Sequence, residues 1–570
     1  MKGIGISPGI SIGRASVIKK NEATLTGVLL NSDAEILGEI ERFDKAVILA
    51  INEIETIKTD AQIILTADDI DILDTQIEFL SDPQIRADVL EKINANKKNA
   101  NDALIEVIGG VIEILQSMDD EYMRARSADV QDIGNRILKH LNEPGKADTK
   151  KLNPDTIIIA EDISPSDTIT MDIKCVIGIA TQAGSKTSHA AIIARSKGIP
   201  AVVGCGDGLK DIIDDDIVIL DGMSGLVLVN PGQQIIDDYK IKREDFKKQA
   251  EELKALKDIP SVTTDGVEIM LSANISNADD MDAVFENGGQ GVGLLRTELL
   301  FMNRDSFPTE EEQYEFYKNV ALKSKNKPVI ARTIDIGGDK QLPYFGLPVE
   351  QNPFLGYRAI RICLDRTDIF ITQLKAILRA GVFGDLKIML PMISSVQEVR
   401  AAKDIVAEAK SQLLKDNIPF NNDFRVGIMI EIPSAAITAD ILAKEVDFFS
   451  IGTNDLCQYT LAVDRMNEKI THLYDPFNPG VLRLISYVIE QGHKHHIHVG
   501  MCGEMAADPM AALLLMGMGL KEFSMSAPSI PVIKKIIISN SLSSAKQVYE
   551  KVMEMDNSQS IITYLQQFTS

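Results

Sequence analysis

The chain contains 570 residues, which is too many for a single hydrophobic core and predicts two to four domains. With 45% hydrophobic and 25% charged residues, the composition is that of a globular protein and argues against a disordered or fibrous chain. A formal net charge of −24 makes nucleic acid and anionic membranes poor candidate partners.

Three features of the sequence favour a cytoplasmic location. The five cysteines are scattered without CxxC spacing, which argues against a disulfide framework or a zinc site and for a reducing compartment. The first residues, MKGIGISPGISIG, contain no apolar signal core. The longest apolar run, residues 509–520, is about half as long as a membrane-spanning helix.

The first part of the chain predicts an α/β domain that is interrupted by helices. Residues 1–25 are glycine-rich and β-like, whereas residues 26–145 carry apolar side chains three and four positions apart, as amphipathic helices do. Residues 146–231 return to short β-branched runs such as TIIIA (156–160). We therefore predict one α/β domain, built from 1–25 and 146–231, with an all-α helical bundle inserted into it. The charged stretch 232–260 predicts an exposed linker helix, and a surface helix of either neighbouring domain fits it equally well.

Residues 261–570 predict a C-terminal (β/α)8 TIM barrel. Eight apolar β-type runs alternate there with helical stretches, as expected for a parallel sheet that is buried on both faces. The runs are residues 267–275, 291–298, 328–335, 386–393, 425–433, 447–455, 498–504 and 522–526. A doubly wound open sheet is the alternative.

Polar residues near the ends of these runs predict an active site, because the carboxyl ends of barrel strands meet at one mouth. The candidate anion-binding residues are Arg296, Arg332, Arg358 and Arg465, whose planar guanidinium groups suit carboxylate and phosphate oxygens. Glu431 and Asp455 offer the hard oxygen ligands that Mg²⁺ or Mn²⁺ prefers. The predicted ligand is a small, multiply charged anion bound together with a divalent cation.

Cys502 lies at the end of the seventh run, within GMCGEMA. A lone cysteine in an apolar run is usually an inert core residue. Here the neighbouring glycines allow a ligand to approach, and a thiol can give or take a proton at carbon. We therefore interpret Cys502 as a candidate proton donor.

His189 lies in the segment TSHAAIIARSKG, residues 187–198. Thr187 or Ser188 is the predicted N-cap of a helix that ends at Gly198, which places His189 in the first helical turn. Free N–H groups and the helix dipole favour a phosphate there, and neutral imidazole is a competent nucleophile. A histidine that only forms hydrogen bonds in the turn is the alternative.

Long segments of the chain resemble one known family, the Enzyme I phosphoenolpyruvate-protein phosphotransferases of the bacterial sugar phosphotransferase system. TSHAAIIAR (187–195) is similar to the phosphohistidine signature of that family. The segments similar to its phosphoenolpyruvate-binding barrel are GVGLLRTELLFMNRDSFPTEEEQ (291–313), NPFLGYRAIR (352–361), GIMIEIPSA (427–435), FFSIGTNDLCQYTLAVDR (448–465) and MCGEMAADP (501–509). The resemblance covers essentially the whole chain, including the order of the domains.

This resemblance implies a role for each candidate residue. His189 would take the phosphoryl group of phosphoenolpyruvate and pass it to a histidine of the phosphocarrier protein HPr, while Cys502 would protonate the enolate as pyruvate forms. The substrate would be held by Arg296, Arg332, Arg358, Asn454, Asp455 and Arg465. Mg²⁺, or Mn²⁺, would be bound by Glu431 and Asp455. The inserted helices would dock HPr, and the barrel would form a homodimer.

The sequence departs from the family pattern in two places. A Gly-Gly or Gly-Ala pair usually precedes the TSH stretch, and here Gly184 is followed by Ser185, which fits a tight turn if its φ stays negative. In the helical insert, Gln76 stands where many members carry a histidine. Docking of HPr would then depend on shape and on acidic residues, namely Asp68, Asp69, Asp71, Asp74 and Asp82.

Two other functions are less well supported by the sequence. Phosphoenolpyruvate synthase and pyruvate phosphate dikinase share both modules but need an ATP-binding domain, for which there is no room before residue 155, and the chain has no P-loop motif. A relative that senses phosphoenolpyruvate without turnover is disfavoured by the intact His189, Glu431, Asp455 and Cys502. Because His189 must reach both the barrel mouth and a separate protein, we expect the N-terminal half to swing about residues 232–262.

Overall fold

The structure is a computed structural model of the chain. It describes all residues except 19–24, 61–74, 119–120, 143–152, 164–174, 186–187, 303, 339–341, 348–349, 468 and 569–570. The chain divides into two compact units, Met1–Lys248 and Gln249–Ser570, which are described separately.

The first unit contains a seven-stranded sheet with the strand order β1-β5-β4-β3-β2-β6-β7. Its strands are β1 (Ile4–Ser7), β2 (Ile10–Ile18), β3 (Thr156–Ala160), β4 (Val176–Thr181), β5 (Ala201–Val203), β6 (Ile217–Asp221) and β7 (Leu226–Val229). The central neighbours from β2 to β5 pair in parallel, and the outer pairs are antiparallel. Every residue of β3 is buried, as expected for its unbroken apolar sequence TIIIA.

A bundle of helices is inserted between β2 and β3. The helices are Asp33–Asp60, Pro83–Asn96, Ala100–Ser117 and Glu121–Asn142, with a short helical turn over 75–80. They share a core of their own that includes Phe43, Ile54 and Leu104. Because the sheet draws strands from both sides of the bundle, the predicted α/β fold with an all-α insert is confirmed.

The helix Gln233–Ala255 follows the sheet, and the division between the two compact units falls inside it. Only Ile236 and Tyr239 are buried along its length, and both pack with the sheet residues Ile10 and Ile219. The charged remainder of the helix lies on the surface, in line with its thin apolar stripe.

The second unit is built on a closed eight-stranded parallel barrel. Its strands are β8 (Met270–Ile275), β9 (Val292–Leu295), β10 (Val329–Arg332), β11 (Leu386–Leu390), β12 (Val426–Ile430), β13 (Phe448–Ile451), β14 (His498–Met501) and β15 (Glu522–Met525). Each strand lies within one of the eight runs predicted from the sequence. Pairing of β15 with β8 closes the barrel, so the alternative of an open doubly wound sheet is wrong.

Helices surround this barrel. They are Asp280–Glu286, Glu310–Lys323, Ile360–Asp365, Thr367–Ala380, Val396–Lys415, Pro433–Ile437, Ala439–Leu442, Thr453–Leu461, Pro479–Lys494, Pro509–Met518, Ile530–Ser539, Leu542–Met553 and Ser558–Leu565. Two of the longer ones begin with capping boxes, formed by Thr309 with Glu312 and by Ser395 with Glu398. Within the described ranges, none of the helices combines the length and apolar character that crossing a bilayer requires.

Side chains alternate between the inside and the outside of the barrel. In β11, Leu386, Ile388 and Leu390 join the large core shared with the helices, whereas Met389 belongs to a separate interior layer. This interior layer consists of Leu294, Ile330, Met389, Met429, Phe448 and Cys502. The residues two positions beyond Leu294, Ile330 and Met429 are Arg296, Arg332 and Glu431. The period of two therefore brings these three residues to the carboxyl end of the barrel on its inner side.

Candidate active site

Arg332, at the end of β10, is buried among carboxylates at the barrel mouth. Its side chain is paired with Glu298, and its Nη1 lies 2.9 Å from an oxygen of Asp335. Burial alone would lower the pKa of this guanidinium, but the charges of Glu298 and Asp335 raise it. Arg332 is therefore a fixed positive charge that is held in place from two sides.

Arg358 is the second buried guanidinium, and it shares a partner with the first. Its Nη2 lies 2.9 Å from the other oxygen of Asp335 and 3.3 Å from Asp455, and its Nη1 donates to the Tyr459 hydroxyl at 3.1 Å. Asp335 thus joins the two arginines. The Tyr459 hydroxyl in turn donates to the carbonyl of Phe354 at 2.5 Å, which ties the loop that precedes Arg358 to the helix that carries Asp455.

Both arginines keep one buried donor unused. The Nε atoms of Arg332 and Arg358 are buried and have no hydrogen-bond acceptor among the residues that the structure describes. A buried donor without an acceptor is costly, and most such groups have a partner in native proteins. An anionic ligand at the mouth would supply the missing acceptors.

The remaining predicted substrate residues lie around this pair. Arg465 is one-third exposed, with its Nη2 3.5 Å from Asp455. Asn454 exchanges two hydrogen bonds with Glu504, donating to its side chain at 3.1 Å and accepting from its backbone N–H at 2.9 Å. Arg296 is exposed, and its charge acts on Cys502. The barrel therefore brings all of the predicted barrel residues to one mouth.

Glu431, at the end of β12, is a buried carboxyl among other carboxylates. It is 2% exposed and accepts a hydrogen bond of 2.6 Å from the backbone N–H of Met392, a residue with a φ of 57°. Burial, together with the charges of Asp455 and Asp335, raises the pKa of Glu431 to about 8. A cation bound at this point would relieve that crowding of negative charge.

Cys502 belongs to the interior apolar layer directly below the arginines and is 6% exposed. Burial raises the pKa of its thiol to about 11, against the lowering effects of a hydrogen bond from Ser450 and the charge of Arg332. The thiol is therefore protonated at neutral pH, which suits a proton donor and not a thiolate nucleophile. The backbone next to it is crowded, since a Cβ on Gly503 would collide with Thr453.

His189 is the first residue of the helix His189–Lys197 in the first unit. Ser188 occupies the N-cap position and Gly198 ends the helix with a φ of 64°, as predicted. The hydroxyl of Ser188 donates to the carbonyl of Ser185 and does not cap the helix, so the first N–H groups are not occupied by that side chain. The side chain of His189 lies outside the described part of the structure, as do the whole residues Lys186 and Thr187.

The turn before this helix and the helical insert contain the two departures from the family pattern. Gly184 carries the positive φ of the turn, 112°, so Ser185 is not forced into that conformation. Gln76 is buried, and its amide donates to Asp132 at 3.4 Å. Asp82 caps the helix Pro83–Asn96 by accepting from the N–H of Gln84. The other four acidic residues of the proposed docking surface, Asp68, Asp69, Asp71 and Asp74, lie outside the described residues.

Family models and sequence relatives identify the chain. Three models match: the PEP-binding domain of PEP-utilising enzymes over residues 250–542, their N-terminal domain over 2–126 and their mobile domain over 152–225. A Bacillus subtilis protein named phosphoenolpyruvate-protein phosphotransferase is 45% identical over 100% of this chain and 99% of its own length. This chain belongs to the phosphoenolpyruvate-protein phosphotransferase family. A family member from Staphylococcus carnosus is 44% identical over 100% of this chain and 99% of its own length.

Among solved structures, a solution structure of Enzyme I (nEIt) is 36% identical to this family member. It covers 43% of this chain and 99% of its own, with a TM-score of 0.39.

The sequence places Glu298 and Asp335 at strand ends, but no pattern in it pairs them with particular arginines. Sequence reasoning missed two other residues that organise the mouth of this phosphotransferase-family barrel, Tyr459 and Met392. Tyr459 follows Asp455 by one helical turn, and that spacing is the signal that could have found it. Met392 gave no signal, because its role comes from a backbone N–H turned toward Glu431.

The residues at this mouth are compatible with a magnesium site of a specific kind. No group of three or more His, Cys, Asp or Glu side chains in the described part of the chain is arranged to hold a metal ion. Mg²⁺ is commonly held by one or two carboxylates together with water and substrate phosphate. Glu431 and Asp455 therefore fit a metal that binds with its substrate and not a preformed cage.

Proposed function

We propose that this protein transfers the phosphoryl group of phosphoenolpyruvate to His189 and then to a histidine of the phosphocarrier protein HPr, with release of pyruvate. This reaction is the first step of sugar uptake by the phosphotransferase system. The observation that carries the proposal is the pair of buried arginines at the barrel mouth, each with an Nε donor that finds no acceptor in the described part of the chain. Phosphoenolpyruvate carries the phosphate and carboxylate oxygens that these donors lack.

Substrate binding would depend on charge that is already oriented. Arg332 and Arg358 are held by Asp335 and would not need to reorganise when the anion arrives. Arg465 and Arg296 are more exposed and would close around the phosphate and carboxylate, with Asn454 as a neutral donor. Phosphoryl transfer needs mainly such positioning and neutralisation of oxygen charge.

Glu431 and Asp455 would hold Mg²⁺, or Mn²⁺, together with the substrate. The metal would neutralise developing charge on the transferred group. Within the protein, the crowding of Glu431 by Asp455 and Asp335 supports this assignment, because a divalent cation favours the ionised form of the carboxyl.

Cys502 would complete the reaction at the carbon end of the substrate. When the phosphorus–oxygen bond breaks, the imidazole nitrogen of His189 gains the phosphoryl group and the enolate of pyruvate remains. The Cys502 thiol gives its proton to the enolate carbon, pyruvate forms, and the thiolate regains a proton from solvent. The raised pKa of Cys502 keeps this proton in place at neutral pH.

The wider assignments are proposals of the same kind. The helices of the insert would dock HPr, the barrel would form a homodimer, and the protein would act in the cytoplasm without nucleic acid or membrane partners. The domain bounds would be 1–25 with 146–231, 26–145, 232–260 and 261–570, and the N-terminal half would move relative to the barrel between the two half-reactions.

Intact-mass measurement tests the proposal. The protein is incubated with phosphoenolpyruvate and Mg²⁺, and we expect one added phosphoryl group together with an equal amount of pyruvate. His189→Ala should gain none, whereas the matched control His495→Ala, at the end of a barrel helix, should behave as the parent. Omission of Mg²⁺ should abolish the gain.

Two other outcomes would contradict the proposal. Appearance of the His189 phosphoryl group in newly formed ATP when AMP and phosphate or pyrophosphate are supplied, in place of its transfer to HPr, would indicate a synthase or dikinase activity. Binding of phosphoenolpyruvate without pyruvate formation would indicate a sensor.

A further inference from the structure

A cavity lies at the end of the barrel opposite the candidate active site. It has a volume of about 230 Å³. Its lining residues are Met270, Pro328, Ile330, Lys387, Arg425, Asp447, Phe448, His498 and Glu522. These residues lie within one position of the first residue of seven consecutive strands, from β10 around to β8. The cavity is therefore the amino-terminal opening of the barrel.

Charged side chains point into this opening because of the strand period. Lys387 lies two positions before Met389 and Arg425 four positions before Met429, and both methionines belong to the interior layer. By the same alternation His498 shares the inner side with Cys502. The interior layer fills the barrel between this cavity and the catalytic residues, so the two sites are separate.

The two carboxylates at the cavity are already engaged by the protein. Glu522 is 4% exposed, accepts from the Ser272 hydroxyl at 2.6 Å and shares a hydrogen bond of 2.6 Å with His498 Nε2. Burial would raise the pKa of Glu522, but the His498 hydrogen bond and the charge of Lys387 hold it below its usual value. Asp447 accepts from the backbone N–H of Val426 at 2.7 Å. Neither carboxylate needs a cation from solution.

The cationic groups, in contrast, keep donors available. Within the described part of the chain, the guanidinium of Arg425 has no side-chain hydrogen bond or ion pair. The Nζ of Lys387 forms an ion pair with Asp385 at 3.7 Å, a distance that is too long for a hydrogen bond. Arg425 lies beside Lys387 across the β11–β12 pair, since Ile388 pairs with Val426 at the next position. The two donors can therefore reach one ligand.

We propose that the amino-terminal opening of the barrel is a binding site for a small anion that carries a carboxylate or phosphate group. Arg425 and Lys387 would bind the charged oxygens. The apolar side chains of Phe448, Met270 and Ile330 would contact the rest of the ligand. At about 30 Å³ per water molecule, the cavity has room for about seven to eight waters or one small organic anion. This site goes beyond the proposed phosphotransfer and does not depend on it.

Nuclear magnetic resonance of the full chain tests the proposal, because the chain has 7 histidines and one of them lines the cavity. The protein is labelled at histidine Cε1, and the His498 signal is assigned with His498→Gln. Malonate and inorganic phosphate are titrated separately at constant pH and ionic strength. We expect a saturable shift of the His498 signal with at least one of them, and which one responds identifies a carboxylate or a phosphate ligand.

Variants show whether the response comes from the cavity. Arg425→Gln and Lys387→Gln should each weaken the apparent affinity at least tenfold, and the exposed Arg483→Gln should change it less than twofold. Circular dichroism checks that each variant is folded. The proposal is overturned if neither anion gives a saturable shift, or if both cavity variants titrate as the parent does. An equal shift with MgCl₂ would assign the opening to a cation and would also overturn it.

Discussion

Replacing Glu431 by glutamine should change how the stability of the barrel depends on pH. Glu431 is 2% exposed, and its pKa in the folded protein is about 8, against an ordinary value of 4.5. Between these two values Glu431 is protonated in the folded protein and ionised in the unfolded chain, and the proton bound only in the folded state contributes to stability. This contribution to stability is fully present below about pH 4.5 and is lost as the pH rises through about 8.

The size of the effect follows from the two pKa values. One pKa unit corresponds to about 1.4 kcal/mol, so between about pH 5.5 and pH 8.5 the parent should lose about 3 kcal/mol of stability through Glu431. Glutamine resembles the protonated carboxyl and does not titrate. The difference in the free energy of unfolding between Glu431→Gln and the parent should therefore grow by about 3 kcal/mol over this range, in favour of the variant.

Urea unfolding measures this difference. The chain contains no tryptophan, so far-UV circular dichroism is the suitable probe. Titrating groups remote from Glu431 cancel when parent and variant are compared at each pH, and Glu490→Gln, on an exposed helix face, is the matched control for replacing a carboxyl outside the barrel mouth. Addition of Mg²⁺ at the higher pH should stabilise the parent and not the variant. A difference that stays within about 1 kcal/mol across the range would refute the assignment of a buried, crowded carboxyl, and equal stabilisation by Mg²⁺ would refute its role as a metal ligand.

Three further substitutions test the barrel mouth. Cys502→Ser should lower kcat for pyruvate formation by about 100-fold or more with little change in KM for phosphoenolpyruvate, because a proton donor is lost. An unchanged kcat for pyruvate formation would exclude that role. Tyr459→Phe removes the hydroxyl that accepts from Arg358 and should raise KM by about tenfold, whereas a change confined to kcat would show that the hydroxyl does not position this arginine. Gly503→Ala places a Cβ against Thr453 and should destabilise the barrel by about 1–3 kcal/mol, as a lowered Tm in calorimetry; an unchanged Tm would mean that the mouth is less tightly packed than described.

The sequence by itself determined the architecture and nominated most members of the candidate site. Apolar runs at regular intervals predict eight parallel strands, because a strand buried on both faces must be apolar throughout. Polar residues at the ends of those runs then predict the mouth, since all parallel strands end on the same side. This reasoning identifies Arg296, Arg332 and Glu431 without any structure, and the helix boundaries around His189 follow from capping and glycine preferences.

Only the tertiary structure decided how these residues act on one another. Asp335 joins Arg332 to Arg358, and Tyr459 fixes Arg358 to the loop at Phe354, through contacts between segments that are remote in sequence. The protonation states of Glu431 and Cys502 likewise depend on burial and on neighbouring charge, which folding alone creates. Periodicity and residue type predict the secondary structure of a segment and which of its faces is buried. Electrostatic coupling depends instead on the distance between charges and on the local dielectric environment, and folding of the barrel sets these two quantities.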